Sequence, residues 1–573
     1  MFEGSIFMRK HYQIIVRETD NRVKRALDIQ FLEDPESPFF GGFRDGNGLV
    51  EAKFAIYQLT TMLTCYVNPD SAWYLKADLM ERIRQGVRFV EVTQRPNGFF
   101  DFNDCNFYSA PDTAFCLKRI FPVYYYLKNT AYELPGCMEM TERLEKILTS
   151  AADAICTGGF HTPNHRWAIA SILSVLSVLF DRKDYRDVAD RYLAEGIDCN
   201  DDGEYSERSA GNYNRINNDA MIMLAVSRKD DSYFEPVIRN LRMMLTYIEP
   251  DGSVFTNNST RQDRGVKSYP GEYYFEYLYM GKRFNIPEFL DAANAVFDSC
   301  TARAAMHVDA LIHYMVCPEL IDFEHEGSGT LFEYRRFYED SRIIRARNGN
   351  YSYSIINDCP NFLYFQSGAL TCGFRIGASF CEHRAFQSKE MKAFKEDGTP
   401  LSSQEVADAP GELTFRLHQM MAGWYYLPFG KAQETSDWWK MDQTKREKIY
   451  GPNLIFDVSV ATVPDGIDLT ISTTGIDKAP LRLEISFDAG CTVETEHFMT
   501  EGLAGDAIVA KSGTLSASKG KDRIEIGPCF GEHNFTAGKF GSAARNTSCF
   551  TVYLTDFSCF THTLKIRSKA SKC

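Results

Sequence analysis

The sequence predicts two architectures in tandem, an N-terminal incomplete (α/α) toroid of helical hairpins over residues 1–305 and a C-terminal antiparallel β-sandwich domain over residues 306–573. Three observations carry this. Before about residue 305, apolar residues recur at the helical spacing in segments of roughly 12 to 20 residues. After about residue 330 they alternate with polar ones at period two, as half-buried strands do. The helical part also repeats a glycine turn followed by an aromatic or β-branched residue: Gly41–Arg44 (GGFR), Asn97–Phe100 (NGFF), Gly158–His161 (GGFH), Asp202–Tyr205 (DGEY) and Asp251–Val254 (DGSV). A period near fifty residues marks repeated helix pairs. Each turn holds the same place in its unit, so all should fall at one end of the arc and line one cleft.

Taken in order, the helical segments are expected at 50–66, 75–94, 111–128, 140–156, 165–180, 183–196, 215–227, 233–248, 270–282 and 287–301, which makes about five hairpins. The stretch Trp167–Phe180, WAIASILSVLSVLF, is apolar on every side except at Ser171, Ser174 and Ser177. A helix apolar all round is screened from water, so this one should be an inner helix with its N-terminus in the shared cleft. Residues 301–330 read as the connection. Beyond it, SRIIRAR, Asn348-Gly349 and NYSYSII read as strand, tight turn and strand, as do LIFDVSVATV, Pro464-Asp465-Gly466 and IDLTIST. LRLEISFDAG extends the pattern to a sandwich.

Composition removes whole classes of function. The 573 residues are 24% charged and 44% hydrophobic with a net charge of −14, and no Lys/Arg-rich run occurs, so the electrostatic footprint of nucleic-acid binding is missing. The opening residues hold no apolar stretch of signal-peptide length, and Trp167–Phe180 is too short to span a bilayer. The expectation is a cytoplasmic protein with no membrane partner. Sixteen cysteines without a CxxC pair suit reduced thiols. A Gly-rich phosphate loop, HExxH and G-x-S-x-G are all absent. The triplet Glu324-His325-Glu326 is a poor metal site, because neighbours on a strand point to opposite faces. No cofactor is expected, with a structural metal in the β domain and the oligomeric state left open.

Two polar clusters follow the third and fourth glycine turns. The first, His161–Trp167 (HTPNHRW), places Asn164, His165 and Arg166 at the entry of the buried helix, where unpaired N–H groups and the positive dipole end favour an anion. Read structurally, Asn164 is a helix cap and His165 a satisfied polar residue. The second, Asp201–Asp219, is dense in Glu, Arg, Asn and Tyr and includes Glu207, Arg208, Tyr213 and Arg215. Alone it reads as a solvated polar loop. Equivalent places in the repeat bring the two together at one mouth.

An Asn-His pair opening an inner toroid helix, followed about fifty residues later by D-G-x-x-x-E-x-S-x-x-Y, resembles the heparinase II/III and alginate-lyase group of polysaccharide lyases. Asp202, Gly203, Glu207, Ser209 and Tyr213 stand in that pattern, with Tyr213 four residues after Ser209 where the pattern has three. The toroid followed by a β domain is similar to the same group across nearly the whole chain. The resemblance implies a lyase that cleaves uronic-acid-containing glycans by β-elimination, with an anionic oligo- or polysaccharide as partner. In such a reaction the proton beside the sugar carboxylate is removed and charge spreads onto that carboxylate. Asn164, the helix dipole and His165 would stabilise it. Tyr213 is then the acid, or the group for both proton steps if both leave from one sugar face, with His165 as the alternative base. Lyases of this group also take a histidine from the β domain, for which His383 is preferred over His418. Arg44, Arg166, Glu207, Arg208, Arg215, Arg261 and Tyr269 are the expected substrate contacts, since Arg forks suit sugar carboxylates and sulfates. Two other readings stand beside the lyase: a toroid glycoside hydrolase using a carboxylate pair drawn from Asp101, Asp104, Glu204 and Glu207, and a carbohydrate-binding protein without catalysis.

Overall fold

The computed structural model describes residues 5–306, 309–327, 333–427, 435–536 and 544–570. The chain divides into two compact units, one of Met1–Leu245 with Gly252–Leu331, the other of Thr246–Asp251 with Phe332–Cys573.

The first unit is an (α/α) toroid. Its helices are α1 (Met8–Ile29), α2 (Ala52–Val67), α3 (Ala77–Thr93), α4 (Ala110–Tyr126), α5 (Cys137–Ile155), α6 (Pro163–Leu179), α7 (Lys183–Leu193), α8 (Tyr213–Arg228), α9 (Phe234–Leu245), α10 (Tyr274–Phe284), α11 (Pro287–Thr301) and α12 (Ala310–Val316). The even-numbered helices α2 to α10 pack on one another in succession as the inner layer, and each packs on the outer helix that follows it. α12 packs on α1, α4 and α10, and α1 on α2. The inner position of α6 follows from its composition: Trp167 to Ser177 are all buried, and its serines turn their hydroxyls back onto helix carbonyls.

The glycine turns dock on the outer helices. Gly98 has φ +92°, and a Cβ there would lie 2.1 Å from the Ser150 carbonyl oxygen of α5. Gly203, at φ +96°, presses in the same way on Arg239 of α9. Any larger residue is excluded twice, by backbone conformation and by contact. The third turn departs from the pattern, since Gly159 faces open space.

The second unit is a β-sandwich. Among the described residues one antiparallel sheet has ten strands and the other nine, the latter with one parallel pair, Ala507–Val509 beside Cys549–Phe557. The expected hairpins are present: Ile343–Asn348 pairs with Tyr351–Ile356, and Leu454–Val463 with Gly466–Gly475. Inward residues from both sheets, such as Phe365, Phe374 and Leu483 from one and Phe415, Val458 and Leu469 from the other, form one apolar core.

Three expectations are corrected. The helical unit runs beyond residue 305, because α12 packs onto the inner helices. α1 is a further helix, which the sequence reading took only as the chain start. The helix expected over 233–248 stops at Leu245, because residues 246–251 belong to the β unit: Glu249 pairs with the fully buried Arg345 at 2.9 Å, and the Arg345 guanidinium also donates to the Thr246 carbonyl. Among the described residues no helix is long and apolar enough to cross a membrane, and no group of three or more His, Cys, Asp or Glu side chains is placed to hold a metal ion.

Candidate active site

A cavity of about 1030 Å³ lies within the toroid unit, and its walls are the inner helices. At one end these contribute their first turns: Lys53 from α2, Asp112 from α4, His165 from α6, and Tyr213 and Arg215 from α8, with Glu272 just before α10 and Asp309 just before α12. Converging helix N-termini give this mouth a positive backbone potential. At the other end the same helices contribute Val175, Val178, Ile222 and Val226.

Each mouth helix starts in a way its sequence explains. α4 is capped by Ser109, whose hydroxyl accepts the Asp112 N–H and donates to the Asp112 carboxylate at 2.6 Å. α6 begins with Pro163 at its first position, which needs no donor there. Its cap is Thr162 rather than Asn164, and Thr162 accepts the Asn164 amide at 3.0 Å. The backbone N–H of Asn164, which has no acceptor within the first turn, is satisfied from another part of the chain, by the Glu207 carboxylate at 3.1 Å. The Asn164 amide donates to both oxygens of the same carboxylate at 2.8 Å. Burial pushes the Glu207 carboxyl up, opposed by the Asn164 hydrogen bonds and by Arg261, whose Nε lies 3.3 Å away.

Glu207 lies in the loop that ends at Tyr213, the first residue of α8, whose N–H is capped by the Ser209 hydroxyl at 3.1 Å. A second loop is knitted onto the first. Thr260 donates twice to the Glu207 carbonyl, the Asn258 amide donates to Glu204 at 2.8 Å, and Gly211 N–H donates to Asp263 at 3.1 Å. From this second loop the Gln262 amide donates to the Tyr213 hydroxyl, and the Arg261 guanidinium lies over the Tyr213 ring, 5.2 Å from its centre. Two stretches about fifty residues apart are thereby joined into one polar mouth.

Of the expected site residues, the structure brings His165, Tyr213, Arg215 and Arg261 onto the cavity wall. Burial lowers the His165 pKa to about 4, with the Asp112 carboxylate pulling the other way, and its Nδ1 is buried without a hydrogen-bond partner. Arg215 pairs with Glu272. Asn164 and Glu207 stand behind this wall, Asn164 with no exposed surface. The remaining expected contacts lie elsewhere. Arg44 pairs with Glu33 and covers Phe31, Arg166 pairs with Glu195 and stacks on Trp167, and Arg208 pairs with Glu204. Tyr269 lies under Arg303. These positions follow the repeat but face carboxylates or rings of their own surroundings. His383 sits half-buried in a short strand, His383–Ala385, of the β unit, and burial lowers its pKa; His418 pairs with Asp457. His325, from the acidic triplet, pairs with Asp291 at 2.7 Å.

Sequence reasoning missed Lys53, Tyr57, Phe102, Asp112, Phe115, Lys118, Arg119, Asp219, Gln262 and Glu276, all of which line the cavity. Their cations are matched by carboxylates, Lys53 with Asp112 and Lys118 with Asp219, each at 2.7 Å, and Arg119 with Asp309. Glu276 is buried beside the Asn218 amide, and burial pushes its carboxyl well above the usual range. For Lys53, Asp112 and Glu276 the signal available in the sequence was position: charges in the first turns of apolar helices belong to an interior mouth. None of Asp101, Asp104, Glu204 and Glu207 lies on the cavity wall.

No protein-family model matches the sequence, and no curated protein matches it. Solved structures do share the architecture. A xanthan lyase from Paenibacillus superposes with a TM-score of 0.58 at 10% identity, covering 98% of this chain and 57% of that one. The chain therefore spans little more than half the length of that enzyme. A chondroitin AC lyase from Streptomyces coelicolor A3, solved with chondroitin sulphate, aligns at TM-score 0.48 and 13% identity over 99% of this chain and 82% of its own. A heparan sulfate lyase from Pedobacter heparinus aligns at TM-score 0.47 and 11% identity over 97% and 83%. The resemblance read from the sequence thus holds for the fold: this chain has the toroid-plus-β-sandwich architecture found among polysaccharide lyases.

Proposed function

We propose that this protein is a lyase acting on uronic-acid-containing oligo- or polysaccharides by β-elimination. The observation that carries the reading is the cavity mouth, where a neutral imidazole and a phenol stand among arginines at converging helix N-termini. A uronate carboxylate entering this mouth meets Arg261 and Arg215 and the positive ends of α6 and α8, which also stabilise the charge that spreads onto it when the neighbouring carbon loses its proton.

His165 takes that proton in this scheme. Its pKa of about 4 keeps it uncharged at neutral pH, and the arriving carboxylate raises its proton affinity at the moment it is needed. Tyr213 gives a proton to the departing glycosidic oxygen. Its hydroxyl already accepts the Gln262 amide, so its own hydrogen is free to be donated, and the Gln262 donor and the Arg261 cation stabilise the phenolate left behind. Asn164, expected to touch the sugar carboxylate, is assigned instead to holding Glu207, and through it Arg261. The like fold of a xanthan lyase supports the reaction class, and neighbours whose substrates are chondroitin and heparan sulfate agree with a glycan substrate.

The test is incubation with a panel of uronate oligosaccharides, including alginate, chondroitin, heparan and hyaluronan fragments. A lyase forms a conjugated double bond that absorbs in the ultraviolet, with no gain in total mass. Products that have taken up water, lost on Glu207→Gln and kept on Tyr213→Phe, would replace this reading with a hydrolase. An oligosaccharide bound without any change in mass would replace it with a binding protein.

A further inference from the structure

Lys53 is the second residue of α2, and its ammonium lies 2.7 Å from Asp112, 4.4 Å from the centre of the Phe102 ring and 5.5 Å from that of Phe115. An ammonium has three donors, and Asp112 takes one. Asp112 is itself compensated, because it accepts the Ser109 hydroxyl and sits in the first turn of α4, where the helix dipole favours a negative charge. The pair is neutral overall, and two of the three ammonium donors are left for a ligand. The two rings supply apolar faces that hold the ammonium without neutralising it.

The corner belongs to the cavity. Lys53, Phe102, Asp112 and Phe115 all line it, and the Phe115 ring meets the His165 ring edge-on at 6.0 Å between centres. Both side chains of the pair keep some exposure, 21% for Lys53 and 12% for Asp112.

We infer that Lys53, flanked by Phe102 and Phe115, forms a second anion-binding subsite, taking a carboxylate or sulfate ester on a sugar next to the one that is deprotonated. The inference rests on the lyase reading for the identity of the ligand, and it makes Lys53 a determinant of how many charges per sugar the site selects.

Titration calorimetry of the full chain with an unsulfated uronate hexasaccharide and its sulfated counterpart tests this. Lys53→Met should weaken binding about tenfold, the loss expected for one charge-assisted hydrogen bond. Weakening of the sulfated oligosaccharide alone assigns the subsite to sulfate, and weakening of both assigns it to carboxylate. The Lys53→Met/Asp112→Asn variant separates a lost attraction from a carboxylate left to repel the ligand. If the second change restores affinity, the inference is overturned, as it is if neither oligosaccharide loses affinity or the wild-type chain binds neither. A wild-type chain that binds these oligosaccharides and forms no unsaturated product overturns the lyase reading while leaving the subsite in place.

Discussion

The two ends of the toroid cavity are built from the same helices and differ in almost every side chain. Where the inner helices begin, the wall carries Lys53, Asp112, His165, Tyr213, Arg215 and Arg261; where they end, it carries Val175, Val178, Ile222 and Val226, with Val178 62% exposed. Helix starts have spare N–H donors and a positive potential, so charged groups and an anionic ligand gather there at little cost. Helix ends offer carbonyls, and there valine and isoleucine from α6 and α8 line the wall beside Ser227 and Lys229. The contrast teaches that the repeat fixes where chemistry can sit, and that loops between hairpins decide which chemistry it is.

The sharpest way to break this contrast is at the phenol. Tyr213→Phe keeps the ring under Arg261 and removes only the hydroxyl; turnover should fall at least about a hundredfold with the melting temperature little changed, measured by ultraviolet product formation. Next comes the buried carboxylate behind the mouth. Glu207→Ala leaves the Asn164 N–H and the Arg261 guanidinium without their acceptor and should cost about 3 kcal/mol in urea unfolding. Glu207→Gln keeps an acceptor and should lose less.

The pH dependence is a subtler probe. Burial holds the His165 pKa near 4, below the 6.5 of a free imidazole, so with His165 as base the neutral, active form persists as pH falls through 6.5, and kcat/KM should decline only near 4. The stability that goes with this depressed pKa is fully present above 6.5 and is lost as pH falls from 6.5 toward 4, because the unfolded chain binds the proton first. An acid limb at 6.5 would point away from His165. The smallest effect belongs to the other end of the cavity: Val178→Ser should leave kcat/KM within about twofold, since it removes apolar surface that is already wet.

Much of the toroid was legible because periodicity and turn chemistry agree. Five inner helices and their partners follow the apolar spacing, and glycines such as Gly98 mark a real close approach to the next hairpin. α1 escaped because its apolar positions, Tyr12, Ile15 and Val23 among them, are diluted by charge and mixed with polar residues, His11 and Thr19, that are nonetheless buried. In the site, proximity of the two polar clusters was readable from their place in the repeat, yet the direction of each side chain was not. Asn164 and His165 are adjacent, and one helical step turns the first inward to Glu207 and the second to the cavity. Arg166 turns a further step away, to Glu195. Lys53 and Asp112 went unseen because each looks like an ordinary charged residue in a helix's first turn until the ring closes and sets them face to face.

The short excursion of the chain at residues 246–251 bears on how this protein can be taken apart. Because Glu249 and the Thr246 carbonyl help to satisfy the buried Arg345, a fragment beginning at residue 332 would lose that carboxylate and that carbonyl from around an interior guanidinium. Such a fragment should be insoluble or partly unfolded when made alone, and a peptide spanning 246–251 added in trans should improve its recovery, so the sandwich is a folding unit only when six residues from the helical half are supplied.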